Sequence, residues 1–229
     1  MRIVSLVPSV TETLTAWDRV PIACTRFCER PDLEHVGGTK DPDVARIVEL
    51  DPDLVVMDEE ENRREDFDAL VAHGLDVCAL HVCSLFDVNP YMEELARRVG
   101  VRWRAIELGE PANRRLRAFV PIWRHPWMAL GAPTYGTSLL AHVGVENAYE
   151  GDGPYPRVDD LDEVRERHPE VVLAPSEPYP FSVRQLAELE SVAPTFFVDG
   201  KDLFWWGHRT RHAVARFDAV IQKIWAART

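Results

Sequence analysis

The sequence predicts an α/β fold of two pseudo-symmetric lobes with mainly parallel sheets, joined by a helical connector, with a ligand cleft between the lobes. Three observations carry this. Residues 42–60, PDVARIVELDPDLVVMDEE, place Val44, Ile47, Val48 and Leu50 at helical spacing, then Asp51-Pro52-Asp53, then the apolar run Leu54-Val55-Val56-Met57. That pattern reads as helix, tight turn and buried parallel strand. Residues 159–177, DDLDEVRERHPEVVLAPSE, repeat it 117 positions later, with Pro169 on Pro52, Val164 on Ile47 and Val171-Val172-Leu173 on Leu54-Val55-Val56. A period near half of a 229-residue chain exceeds the ~20–50 residues of a solenoid repeat and points to two similar units. Open α/β sheets bind ligands at the carboxyl ends of their strands, so the segments just after the strands are expected to line the cleft.

The remaining elements follow in order. Residues 3–7, Ile-Val-Ser-Leu-Val, form a buried strand, and Ser9 with Glu12 fits a capping box opening a helix. The same turn offers Pro8, Ser9 and free N–H groups to a ligand. Residues 22–25 form a second strand that exits into Phe27-Cys28-Glu29-Arg30-Pro31. Beyond the first copy of the repeat come a helix over 63–73 stopped by Gly74, a strand over 77–82 ending in Cys83-Ser84, and a helix over 89–99 with Pro90 in its first turn and Gly100 as its stop. This completes an N-terminal lobe, 1–100. The Arg-rich stretch 101–119, interrupted by Gly109-Glu110-Pro111, is the interlobe connector, part helical. Residues 120–229 make the C-terminal lobe. Its first strand is bracketed by 120–123 and 127–130, followed by helices over 138–143 and 185–190, a last strand over 195–198, and a final helix over 210–227. In that helix Ala213, Val214, Phe217, Val220, Ile221, Ile224 and Trp225 form an apolar stripe for core packing.

Composition excludes several partner classes. Twenty-six basic residues against 38 acidic ones leave a net charge of −12, which argues against nucleic acid or an anionic membrane as the main partner. No run approaches the ~20 apolar residues of a membrane span, so no membrane insertion is expected, and the chain reads as a monomer. Four cysteines do not demand a disulfide framework. Met1-Arg2 leads straight into a strand-length apolar run rather than a secretory segment. As it stands the chain is expected in the cytoplasm, and in the periplasm or outside the cell if a leader has been trimmed.

RIVSLVPSVTETL, FCERP, VGGTKDPDVARIVELDPDLVV, GTSLLAHVGVENAY and HPEVVLAPSE together resemble the class III, helical-backbone periplasmic binding proteins that receive vitamin B12, ferric siderophores and haem. The resemblance covers nearly the whole chain in order, and no single stretch carries it. It implies a binding protein, not an enzyme, holding a corrinoid or ferric chelate without covalent attachment, and possible delivery to an ABC permease. Carried over by position, it implies ligand contacts from Ser9, Phe27, Thr39, Tyr135 and Tyr155, with Glu177, Tyr179, Trp205 and Trp206 across from them. Aromatics suit planar cofactors because they supply large rigid area at low entropic cost. Two adjacent tryptophans cannot both point inward on one strand face, so one of Trp205 and Trp206 is expected at the cleft or the surface. Arg30, Lys40 and Arg209 are the cationic candidates for an acidic siderophore.

The family docks on its permease through one acidic residue per lobe, in the helix before each repeated strand. Asp162 holds that position in the second copy, whereas Ala45 lacks the carboxylate in the first. Exposed charges steer docking more than they hold it, so two versions stay open: an importer component, or a cytoplasmic carrier or sensor that has left the permease behind. Soft metal ligands lie near strand ends at Cys28, His81 and Cys83, with His208 and His212 one turn apart further on. Cys24 and Cys78 read as small buried hydrophobes. The alternative class is a metal-dependent hydrolase or transferase using Glu59, Glu177, His81 or His208, although no nucleophile elbow, P-loop or GxGxxG accompanies them.

Overall fold

The computed structural model describes residues 1–228, and they divide into two compact units. The first comprises 1–82, 86–106 and 206–209; the second comprises 83–85, 107–205 and 210–228.

The first unit holds β1 (Ile3–Ser5), α1 (Pro8–Ala16), β2 (Ala23–Cys24), β3 (Glu34–His35), α2 (Val44–Glu49), β4 (Leu54–Asp58), α3 (Arg64–Ala72), β5 (Val77–Leu80) and α4 (Val88–Arg98). Among the described residues its strands form one sheet in the order β3-β2-β1-β4-β5, with every neighbouring pair parallel. An all-parallel sheet needs cover on both faces, and β4 is accordingly buried at all five positions. Val4, Ala23, Val55 and Met57 pack with Ile47 of α2 and Leu70 of α3. Gly74 and Gly100, after α3 and α4, have φ of +82° and +68°, the left-handed stop that glycine adopts at least cost.

The second unit holds β6 (Leu116–Phe119), β7 (Pro121–Trp123), β8 (Trp127–Ala129), α5 (Tyr135–His142), β9 (Val145–Asn147), β10 (Arg157–Val158), α6 (Leu161–Glu166), β11 (Val171–Pro175), α7 (Leu186–Glu190), β12 (Thr195–Val198), α8 (Gly200–Phe204) and α9 (Thr210–Arg228). Its main sheet has the order β12-β11-β6-β9, again all parallel. β12 and β9 are therefore its edges, and Phe197 on β12 is 43% exposed. β7, β8 and β10 form a separate antiparallel ribbon.

The two sheets share one wiring. β2-β1-β4-β5 in the first matches β9-β6-β11-β12 in the second, with the repeated strands β4 and β11 in separate sheets. The match extends to single atoms. Asp43 caps α2 by accepting from the Arg46 N–H at 3.0 Å. Its counterpart Asp160 caps α6, accepting from Asp162 and Glu163 at 2.8 and 3.0 Å. The residue before each repeat proline is left-handed, Asp51 at φ 45° and His168 at φ 52°. The acid after each proline accepts a backbone N–H from the neighbouring chain segment: Asp53 from Arg2 at 2.6 Å and Glu170 from Arg117 at 2.9 Å.

Three expectations need correction. The connector 101–119 contains no helix: residues 101–115 run without regular structure, and 116–119 form β6, inside the second sheet. The cause is visible at Asn89. Its side chain accepts from Trp103 Nε1 and the Ile106 N–H at 3.1 and 2.8 Å and donates to the Ile106 carbonyl at 3.0 Å, pinning that stretch as an extended strand partner would. Residues 120–123 and 127–130 are not flanks of one strand but two arms of a hairpin, β7 and β8, turned at Arg124-His125-Pro126. Ser9 is no cap. Pro8 takes the first helical position of α1, Val7 is the cap residue without a side-chain bond, and Glu12 pairs instead with Arg209 at 2.7 Å.

Candidate functional site

Parallel strands put all their carboxyl ends on one edge of a sheet, and in each unit the loops of that edge are bound to one another. In the first unit the organiser is Asn62. Its Nδ2 donates to the Leu6 carbonyl after β1 at 3.2 Å and to the Thr39 carbonyl after β3 at 2.9 Å, and its Oδ1 accepts the Asp58 N–H at 2.9 Å. One buried amide thus ties three edge loops together. Asp58, the last residue of β4, turns the chain: its Oδ1 accepts from the Glu60 and Glu61 N–H groups at 3.0 and 3.2 Å. Its Oδ2 is buried with no partner. Burial of this carboxyl pushes its pKa up to about 7, against the pull of the two N–H donors and with help from the neighbouring Glu60 and Glu61 charges. A cavity of about 300 Å³ opens beside it, lined by Met57, Phe67, Ala79, Glu59, Arg63 and Arg64 together with Asp58 and Asn62.

Around that edge stand several of the sequence-predicted residues. Phe27, after β2, is 54% exposed, with the Arg26 guanidinium 4.8 Å from its ring centre. Lys40 donates to the Glu60 carbonyl at 2.6 Å. Gly37 has φ +87°, and a Cβ there would lie 2.4 Å from the Asp41 carbonyl oxygen, so the turn before Thr39 requires glycine. Thr39 is buried, its carbonyl held by Asn62. Arg30 is engaged by Asp32 at 2.6 Å and by Thr15 Oγ1 at 2.8 Å. Arg209 is engaged by Glu12. Of the three cationic candidates, Lys40 is the most exposed.

The second unit's edge carries an aromatic column. Trp127 stacks on Phe181 at 6.1 Å with 3° between planes, Phe181 meets Tyr179 at 4.7 Å, and Tyr179 meets Trp123 edge-on at 5.7 Å. The column rises from buried Trp127 and Phe181 to Trp123, 42% exposed. Edge-to-face and stacked contacts of this kind hold an exposed ring at fixed orientation. Nearby, Asn147 Nδ2 donates to the Leu130 carbonyl and Thr137 Oγ1, both at 2.9 Å, while the Gly200 N–H donates to Ser176 Oγ at 3.0 Å. Gly200 packs so closely on Glu177 that a Cβ would lie 2.5 Å from the Glu177 nitrogen. Glu177, Tyr155 and Trp205 are half-buried, with Lys201 Nζ 5.0 Å from the Trp205 ring centre.

Other expectations change. Ser9, Tyr135 and Trp206 are buried; the Tyr135 hydroxyl donates to Thr210 Oγ1 at 3.1 Å, so it packs rather than faces a ligand. Trp205 and Trp206 follow α8 rather than lying on a strand, which removes the alternation argument, although one is buried and the other partly open. No group of three or more His, Cys, Asp or Glu side chains placed to hold a metal occurs among the described residues. The expected metal set of Cys28, His81, Cys83 and His208 is not assembled: Cys28 faces threonine hydroxyls, and His81 Nδ1 lies 3.3 Å from Glu59. Ala45 and Asp162 both lie exposed at the second position of their helices. Sequence reasoning passed over Asp58, Asn62, Trp123, Asn147 and Gly200. A usable signal existed for the first two, because turn-forming residues four apart follow directly on an apolar run.

Comparison with known proteins meets the resemblance at both levels. No family model matches the chain. The vitamin B12-binding protein of Salmonella typhi is 22% identical over 190 residues, covering 75% of this chain and 71% of its own length. That of Vibrio campbellii is 25% identical over 198 residues, covering 76% and 70%. Among solved structures, the periplasmic vitamin B12 binding protein of Vibrio cholerae superposes with a TM-score of 0.77 at 18% identity over 97% of this chain and 98% of that one. The periplasmic haem binding protein of the same organism gives 0.77 at 16% identity over 96% and 98%. The chain has the fold of these periplasmic binding proteins.

Proposed function

We propose that the chain is a substrate-binding protein for a metal-bearing cofactor, a corrinoid, a haem or a ferric chelate, taken up by the carboxyl-edge loops of its parallel sheets. The observation that supports it most is the aromatic provision of those loops, Phe27 in one unit and the Trp123–Tyr179 column in the other, on a fold shared with proteins named for vitamin B12 and haem. Stacking of a flat macrocycle needs rigid exposed rings, and Trp123 is braced by Tyr179 and Phe181 while Phe27 carries the Arg26 guanidinium on its ring. The metal arrives with the ligand, so the protein need not supply a metal site of its own. The enzyme alternative lacks comparable support, since the relatives carry the names of binding proteins.

The test is titration of the ligand-free protein with cyanocobalamin, hemin and ferric siderophores, read by ligand absorbance and by quenching of its seven tryptophans. Saturable binding to at least one is expected. Phe27→Ala and Trp205→Ala are expected to weaken it roughly thirtyfold, the effect of losing ~2 kcal/mol at a buried anchor. Ala45→Glu, at the exposed position equivalent to Asp162, is expected to leave binding unchanged. Its effect on transport by a cognate ABC permease separates the two versions: stimulation only with glutamate favours the carrier, and equal stimulation by the wild type favours the importer. Absence of binding to every ligand class would sink the proposal.

A further inference from the structure

We propose that the cavity beside Asp58 is a second binding site, taking a small primary ammonium ion with an apolar body. It is independent of chelate binding, because all of its walls belong to the first unit. Its volume of about 300 Å³ sits at the small end of ligand pockets, room for a small molecule rather than a macrocycle.

The apolar wall follows from the strand register. Met57 of β4 pairs with Ala79 of β5, and paired residues of neighbouring strands point to one face of the sheet. Met57 packs there in the core cluster that Phe67 of α3 joins. Phe67 is only half-buried and Ala79 is exposed, so α3 covers this face incompletely, and the gap between helix and strand ends is the cavity. Its floor is buried, with Met57, Asp58 and Asn62, and its rim is exposed, with Glu59, Arg63 and Arg64.

The charges of the gap decide what it takes. Asn62 spends both N–H groups on the Leu6 and Thr39 carbonyls. Arg63 is held by Asp66 at 3.0 Å and Arg64 by Asp68 at 2.9 Å, so the positive rim is answered by carboxylates of its own helix. Glu65 and Asp66 in the first turn of α3 likewise answer the positive end of that helix. No arginine or lysine among the described residues pairs with Asp58 or Glu59; Glu59 meets the His81 ring at 3.3 Å. Asp58 is 2% exposed, and its Oδ2 has no hydrogen-bond partner among the described residues. The charges of Glu60 and Glu61 add to the negative potential there. The balance is negative, with one acceptor unused. An ammonium group matches it as a compact charge with three donors, while its apolar remainder covers Met57, Phe67 and Ala79. Because Oδ2 is itself covered, binding turns the Asp58 carboxyl slightly toward the gap, pivoting on Oδ1, which the Glu60 and Glu61 N–H groups hold. A carboxylate ligand would meet like charge at Asp58 and Glu59, and an alcohol would leave that charge unanswered.

The experiment titrates phenethylamine into the full chain near neutral pH, followed by calorimetry and by NMR of carbon-13-labelled methionine methyl groups. The chain has four methionines, and Met57→Leu identifies the Met57 signal. Saturable binding that moves this signal is expected. 2-Phenylethanol and 3-phenylpropanoate, which keep the ring but not the ammonium, are expected to bind at least roughly tenfold more weakly. Phenethylamine should lose a similar factor on Asp58→Asn, the size of one hydrogen bond to a charged group. Glu59→Gln, on the exposed rim, should weaken it roughly threefold, as for an exposed ion pair. No chelate is present, so the outcome does not depend on chelate binding. Equal binding of the alcohol would make the cavity merely apolar, and tighter binding of the carboxylate would hand it to the arginines. Either result overturns the proposal, as does a Met57 signal that stays still at saturating amine, or no binding at all. Should Asp58→Asn not fold, the ligand series and Glu59→Gln still decide.

Discussion

Asp58→Asn is expected to stabilise the protein at pH 8 and to leave it nearly unchanged at pH 4. The wild-type carboxyl titrates near pH 7 in the fold because it is buried, against an ordinary value near ~3.9 when the chain is unfolded. A raised carboxyl pKa means that the native state keeps a proton the unfolded chain has released. Stability linked to that proton is fully present below about pH 4, declines as pH rises toward 7, and stays low above it. The free-energy cost of holding the ionised carboxyl in the fold is at most ~4 kcal/mol, because each tenfold change in proton affinity is worth ~1.36 kcal/mol. Asparagine keeps the acceptor that the Glu60 and Glu61 N–H groups use and removes the ionisation. Urea midpoints for the two proteins should therefore coincide in acid and separate steadily through neutrality. A gap that does not change with pH would show that Asp58 titrates in the normal carboxylate range.

Gly200→Ala should have the other large effect. The added Cβ would lie 2.5, 2.6 and 2.7 Å from the nitrogen, Cγ and carbonyl oxygen of Glu177. Two of these atoms are backbone, which cannot swing aside as a side-chain tip can. Relief requires parting the loop after β11 from the start of α8, breaking the Gly200 N–H bond to Ser176 Oγ. Overpacking of this kind costs about 1–3 kcal/mol, roughly 2–4 °C in melting temperature per kcal/mol in a chain of this size. Since Tyr179 stands on the displaced loop and braces Trp123, ligand affinity should fall as well. Gly151→Ala is the control, because its Cβ meets nothing within 4 Å. Equal melting temperatures for the two variants would mean that the close approach is loose.

Wherever a period in the sequence had to be satisfied by packing, the fold was legible in advance. The 117-residue repeat identified α2–β4 and α6–β11 because both modules bury one helix face and a fully covered strand, and those demands leave an apolar signature. The stripe of α9 was readable for the same reason, with Ala213, Phe217, Ile221 and Ile224 buried. Failures came where one side chain decided the backbone. Asn89 ties down Trp103 and Ile106 through three hydrogen bonds, and no pattern of hydrophobicity announces a side chain that imitates a peptide group. The β7–β8 hairpin was hidden because Trp123 and Trp127 looked alike, whereas one ends exposed and the other buried. Site residues divided similarly. Phe27 and Tyr179 were expected through resemblance, and both lie on loops that follow strands, β2 and β11. Asn62, Asp58 and Gly200 do their work by holding loops in place, a role read only from which carbonyls and N–H groups happen to converge.

The flanks of the two sheets differ in how they would meet another molecule during heating. β3, a flank of the first sheet, is two residues long, with Glu34 and His35 both exposed and Glu34 bound to Arg46 at 2.6 Å. Short length and charge discourage a foreign strand from adding on. β12 has neither protection: its four residues are Thr195, Phe196, Phe197 and Val198, with Phe197 open to water and no charge among them. Self-association of partly opened protein should begin at β12, so that Phe197→Lys delays the growth of light scattering on heating and leaves the β3 flank as it was.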